Sequence, residues 1–252
     1  MLKKYHKIKK YLFIILFITL AITYFTRSSF KKVDRIDSNV LNEPIQKELE
    51  DNEIIKFTKD DFEYELTPLY DYEVSSLVVR KMDYTWLSIY KTDSVFPVDL
   101  CMLWGSNIEN NIYKDDSLKF SQDMRFCFGR WSGDLEFDKN AISNTHIVVN
   151  DKTLEKKIKK ISIGDQVKLR GILVDVEAKN LGSAGKYDPE SLSLKSSTIR
   201  EDSGAGACEI VYVQDIEILQ KGNQLSHILL TFSFYSLILL IIFDICLFFV
   251  RE

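Results

Sequence analysis

The 252-residue sequence predicts a mainly β domain of the α+β class, an OB-like small barrel with one amphipathic helix, flanked by two transmembrane helices. Three observations predict it. Apolar runs without a polar face stand near both ends, the middle alternates apolar and polar residues at the period of a half-buried strand, and a Gly-Asp turn feeds a strand with a glycine at its centre.

Residues 1–10 read as a basic leader carrying Lys3, Lys4, Lys7, Lys9 and Lys10. An uncharged stretch, YLFIILFITLAITYF, follows within residues 11–26. A helix rises about 1.5 Å per residue and the hydrocarbon core is about 30 Å thick, so roughly 20 apolar residues are needed to cross it. This stretch falls short, but Lys9 and Lys10 can snorkel and Thr26 can extend it. It is expected to be a retained signal anchor, since its one small-x-small pattern, Ala21-Ile22-Thr23, suits cleavage poorly; a removed signal peptide is the alternative. Ile228–Val250 spans without help and holds one charge, Asp244.

Lysines before the first span, against Arg27, Lys31, Lys32 and Arg35 after it, favour a cytoplasmic amino terminus. Residues 251–252 then form a cytoplasmic tail. The central domain is placed in the periplasm or outside the cell, at a bacterial inner (cell) membrane. Between residues 26 and 225, 27 Lys and Arg face 35 Asp and Glu, a net charge of −8 that argues against nucleic acid as a partner.

Residues 27–56 are polar and read as a linker, with Pro44 leading a short helical run, IQKELEDNE. The β-rich domain covers 57–220. Its strands are expected at Phe62–Leu66, Tyr72–Val79, Thr85–Tyr90, Val98–Trp104, Met124–Phe128 and Ile142–Val149. A helix is expected at Lys152–Lys160, capped by Asn150 or Asp151, with Leu154, Ile158 and Ile161 on one face and the KKIKK run on a solvated one. After Gly164-Asp165, a strand from Val167 carries Gly171, where a small barrel needs a bulge or close backbone approach. A long loop, Ala178–Ser197, precedes the clearest strand, Cys208–Leu219, and Lys221–Ser226 reads as a hinge into the second span.

The segment SSTIREDSGAGACEIVYVQDIEIL, with Gly164-Asp165 and Ser143-Asn144-Thr145-His146, resembles a family of uncharacterised bacterial envelope proteins with one amino-terminal hydrophobic segment. The likeness covers about 120 residues, is strongest from Ser196 to Leu219, and implies an envelope location without an activity. The second apolar span is not part of that resemblance.

His146 is the only histidine in the β-rich domain, residues 57–220, so a multi-histidine metal site there is excluded. The catalytic candidates are His146 with Cys208 or Ser197 and an acid such as Asp202, although no nucleophile elbow or cysteine-family motif frames them. The blander expectation is a hydrogen-bonded His146 and a packed or cross-linked Cys208. Cys101 and Cys127, both in apolar strand-like runs, are the disulfide candidates; burial as small apolar residues is the alternative. For ligand or partner binding the candidates are Arg200 and Asp202 in a glycine-bearing loop, Trp104 among the aromatics, and Asp244. The acids Asp115, Asp116, Asp134, Glu136 and Asp138 lack EF-hand spacing and read as solvated.

An acid within an apolar helix costs about 2.5 to 3.5 kcal/mol at mid-membrane. Asp244 is therefore expected either to reach the headgroups or to meet a partner's membrane helix, as in a homo-oligomer. No cofactor or metal is expected. The partners expected are the lipid bilayer and an envelope protein or a second copy of the chain. The function expected is a membrane-anchored envelope binding or assembly module without catalysis. The alternatives are an envelope hydrolase using His146 with Cys208 or Ser197, and a sensor component acting through a separate membrane partner.

Overall fold

The computed structural model describes residues 2–250 except 34, 86–89, 124, 183–186, 203 and 205. The chain opens with α1 (Leu2–Thr26), followed by 3-10 turns at Phe30–Lys32 and Ser38–Leu41. Four strands come next: β1 (Ile45–Glu48), β2 (Ile55–Lys59), β3 (Phe62–Asp83) and β4 (Val98–Leu103). A single turn, α2 (Ser106–Glu109), leads to a separate hairpin, β5 (Lys119–Asp123) and β6 (Phe126–Arg130). The chain continues through β7 (Ile142–Val148), α3 (Lys152–Lys159), β8 (Gln166–Asn180), β9 (Ser191–Leu194), β10 (Ile210–Gln220) and α4 (Gln224–Val250).

The domain is mostly β, built on a sheet of eight strands. At 22 residues, β3 is long enough to pair with β8 along one edge while its other edge takes β1 and then β4. From β4 the pairing passes to β7, then in parallel to β10, then to β8, and so returns to β3. The inward residues of this closed cycle, among them Val74, Leu100, Met102, Ile147, Leu169 and Val211, are fully or almost fully buried. Gly171 sits where β8 and β10 approach so closely that an added Cβ would lie 2.3 Å from the Tyr212 carbonyl oxygen. That is the close backbone approach expected of it, and a register shift follows in β10 between Val213 and Asp215.

Helix α3 closes one end of the cycle with Leu154, Ile158 and the following Ile161. Its cap is Asp151, whose carboxylate accepts the Leu154 N–H at 2.6 Å. On the outer side of β3 and β4 a second core gathers Leu77, Val79, Leu103, Tyr113 and Phe120 beneath the β5–β6 hairpin. A Cys101–Cys127 disulfide ties that hairpin to β4.

Several expectations change. Residues Ile45–Glu48, expected to be helical, form β1 on the exposed edge of β3. A short polar run cannot sustain a helix in water, whereas that edge offers it a row of unpaired backbone groups. The expected linker is not free of the domain either, since Phe30, Val33 and Val40 are buried. The strands expected at 62–66 and 72–79 are one continuous β3, and the expected long loop is shortened by the end of β8 and by β9 pairing back onto it. Of the strand expected at Thr85–Tyr90, residues 86–89 lie outside the described residues.

The terminal helices pack side by side and antiparallel. Their spans, Lys7–Thr26 and Gln224–Cys246, are long and apolar enough to cross a bilayer, and only 11% of each is buried within the protein, so neither is a core helix. Near the chain ends Lys9 Nζ meets Asp244 Oδ1 at 2.5 Å. Near the domain Thr26 and Ser226 hydroxyls lie 3.2 Å apart, and Asn223 donates to the carbonyls of Arg27 and Ser29. The expected hinge is a clamp. The buried Asp165 carboxylate accepts the Ser162 and Gly222 N–H groups and the Lys221 ammonium, fixing the entry to α4 against the Gly164 turn.

Candidate functional site

Strand alternation places Asp99 of β4 and His146 of β7 opposite one another on the outward face of the cycle, one step from the Cys101–Asn144 pair. His146 Nδ1 lies 3.0 Å from Asp99 Oδ1, a charge contact without hydrogen-bond alignment. The other Asp99 oxygen accepts the Tyr84 hydroxyl at 2.8 Å. Arg125 closes the far side: one guanidinium nitrogen sits 3.4 Å from Asp99, another donates to Asp93 at 2.6 Å, and the plane stacks 3.9 Å above Tyr84. Asp99 is completely buried, so these cations offset a desolvation cost that would otherwise be prohibitive.

Cys208 is delivered by the backbone. The His146 N–H donates to the Glu209 carbonyl at 2.8 Å, which draws residue 208 alongside β7. The Cys208 thiol then contacts the imidazole and accepts the Asn144 side-chain N–H at 3.4 Å. Burial acts to lower the pKa of His146, but the contacts with Asp99 and Cys208 outweigh it and push the pKa up to about 9. The ring is thus an imidazolium at neutral pH, held between a buried carboxylate and a free, half-buried thiol. The thiol opens onto a groove of about 420 Å³ walled by Phe126, Phe128, Trp131, Asn144 and Asp202.

The next residue turns the other way. Glu209 points inward, paired with Arg200 at 3.0 Å and accepting the Ser143 hydroxyl. Burial holds Glu209 above the usual carboxylate range, against the lowering effect of the Ser143 hydrogen bond and the Arg200 charge. The Arg200 guanidinium lies 5.2 Å from the Tyr72 ring and 5.6 Å from Trp104, and it donates to the Tyr72 hydroxyl at 3.2 Å. Trp104 in turn donates its indole N–H to Glu43 at 3.1 Å.

The predicted site residues are therefore divided. His146 and Cys208 come together. The acid beside His146 is Asp99 and not Asp202, which stands on the groove wall and accepts the Ser197 hydroxyl at 2.5 Å. The Ser197 hydroxyl oxygen also accepts the Ile199 N–H at 3.1 Å, so it is engaged in its own turn. The Arg200 guanidinium lies over the Trp104 ring, while Asp244 lies apart, in the helix pair. Cys101 and Cys127 form the predicted disulfide, with Cα atoms 5.9 Å apart.

Asp99, Arg125 and Glu209 are the residues that sequence reasoning missed. A charge inside the apolar runs VDLCML and CEIVYV was the available signal for two of them. Among the described residues no three His, Cys, Asp or Glu side chains converge in a way that would hold a metal ion.

Comparison of the chain with family models, curated proteins and solved structures finds no match in any of the three. The resemblance to envelope proteins rests on the residues that suggested it, 196–219 with Gly164-Asp165 and Ser143-Asn144-Thr145-His146, alone.

Proposed function

We propose that this chain is a membrane-anchored binding module of the bacterial envelope. Its central domain is an OB-like small barrel on the periplasmic or extracellular side, and its groove beside β6 takes a segment of a protein or glycan partner. The barrel reading is supported by the closed cycle β3-β4-β7-β10-β8, with β7 and β10 parallel and α3 inserted between β7 and β8. OB-folds bind ligands over the face of their second and third strands, flanked by the loops joining strands one to two and four to five. Here those correspond to the outward face of β4 and β7, to residues 84–97 and to residues 181–209.

The observation that carries the binding reading is the groove on that face, where Phe126 and Phe128 are 36% and 43% exposed although the sheet behind them is dry. Aromatic rings kept in water beside hydrogen-bonding groups suit a peptide or a sugar face. Location is supported by the disulfide, which persists in oxidising compartments, and by the lysine bias before α1. The Lys9–Asp244 pair offsets the charge of the acid in the apolar helix within one chain, so Asp244 supplies no reason to invoke a second copy.

The test is photo-crosslinking from a probe placed at Phe128 in the full-length protein in its native membrane. A discrete crosslinked species that disappears with Trp131→Ala supports the groove; crosslinks to bulk lipid alone, or none above background, would overturn it. A second reading, hydrolysis, is favoured by the Cys208–His146–Asp99 constellation, which has the components of an activated nucleophile. Loss of a detectable esterase or amidase activity in His146→Ala, with folding retained, would establish it.

A further inference from the structure

Three cysteines converge on one face. Cys101 and Cys127 are joined, and Cys127 lines the same groove as Cys208. Asn144, the cross-strand neighbour of Cys101, reaches the Cys208 sulfur at 3.4 Å, so the free thiol stands over the ladder position adjoining the disulfide. Its other neighbour is His146, which is backed by Asp99 and by Arg125 beyond it. A half-exposed sulfur beside an imidazole ring, within reach of an amide donor and in the same groove as a disulfide, is placed for thiol–disulfide exchange. The electrophile such a sulfur can attack, the Cys101–Cys127 disulfide, already lines the groove through Cys127.

We propose that Cys208 is the attacking thiolate of a thiol–disulfide exchange site, with Cys101–Cys127 as its built-in disulfide. The Cys208 sulfur attacks Cys127 Sγ along the groove. The Cys101–Cys127 bond breaks as the Cys127–Cys208 bond forms, and Cys101 leaves as a thiolate that takes up one proton, supplied by the His146 imidazolium. One disulfide is exchanged for another, so no external oxidant or reductant is consumed. The β5–β6 hairpin is thereby released from β4 and tied to the segment preceding β10, bridging the groove wall to wall. The proposal concerns Cys208 and the disulfide alone and holds whether or not the groove takes a partner.

The test uses the full chain in mild detergent. In wild type, acid-quenched alkylation followed by disulfide mapping is expected to recover a minor Cys127–Cys208 linked peptide with Cys101 alkylated. Cys208→Ser should yield only Cys101–Cys127, and His146→Gln should form the new link at least tenfold more slowly. Cys101→Ser, which leaves two thiols facing the groove, is expected to close a Cys127–Cys208 bond in oxidised glutathione. If that variant instead accumulates glutathione on both cysteines without joining them, the sulfurs do not meet and the proposal fails. Circular dichroism of each variant separates these outcomes from misfolding, and a misfolded His146→Gln leaves the Cys101→Ser result decisive.

Discussion

Residues 208 and 209 are neighbours in the chain yet belong to two polar clusters that the sheet keeps apart. The inner cluster is closed. Glu209, Arg200, Ser143, Tyr72 and Trp104 use one another's charges, hydrogen bonds and ring faces. The outer cluster has the same ingredients, an acid, a cation and an aromatic ring, but it ends in a sulfur facing a groove. A buried polar network of mutual contacts contributes to a unique packing; one that ends in a sulfur at a groove leaves that atom within reach of solvent.

That contrast can be broken, and the largest effect should come from the inner side. Arg200→Met strands the buried Glu209 carboxylate and is expected to cost about 3 to 5 kcal/mol in urea unfolding monitored by tryptophan fluorescence. A loss below about 1 kcal/mol would mean the inner cluster is not structural. The outer side should show itself through pH. His146 binds its proton more tightly folded than unfolded, with a pKa near 9 against 6.5. Its contribution, on the order of 3 kcal/mol, is therefore complete below pH 6.5 and fades as pH rises through 9. Asp99→Asn should flatten that decline between pH 6.5 and 9; an unchanged profile would show that Asp99 does not hold the imidazolium. The smallest effect on stability belongs to the groove wall. Phe126→Ser should change the unfolding free energy by under about 0.5 kcal/mol, because the ring is already partly in water, while abolishing the crosslinked species formed from the probe at position 128.

How much of this was legible depends on how far each feature reaches along the chain. The two spans were read from composition, although Lys7, Lys9 and Lys10 belong to the first helix and lengthen it beyond its uncharged stretch. The Asp151 cap, the buried stripe of α3 and the strand at Ile210–Gln220 follow from spacings of two to four residues. Gly171 was legible as a place of close approach, though not which strand approaches. The strand Ile45–Glu48 was misread because its partner is about 25 residues further on, and no local pattern reports the presence of an open edge.

The candidate site divides the same way. His146 and Cys208 stood out as rare reactive side chains, and Cys101 with Cys127 as a disulfide pair. Asp202 was one acid among many that the sequence offered, whereas Asp99 was selected by a register in which β4 and β7 lie side by side. By itself the sequence determined which segments leave water, because the transfer of apolar side chains depends on their local density and period. Only the tertiary structure decided which charges meet, since an ion pair needs a few ångströms in space and is indifferent to the 47 positions between Asp99 and His146 or the 235 between Lys9 and Asp244.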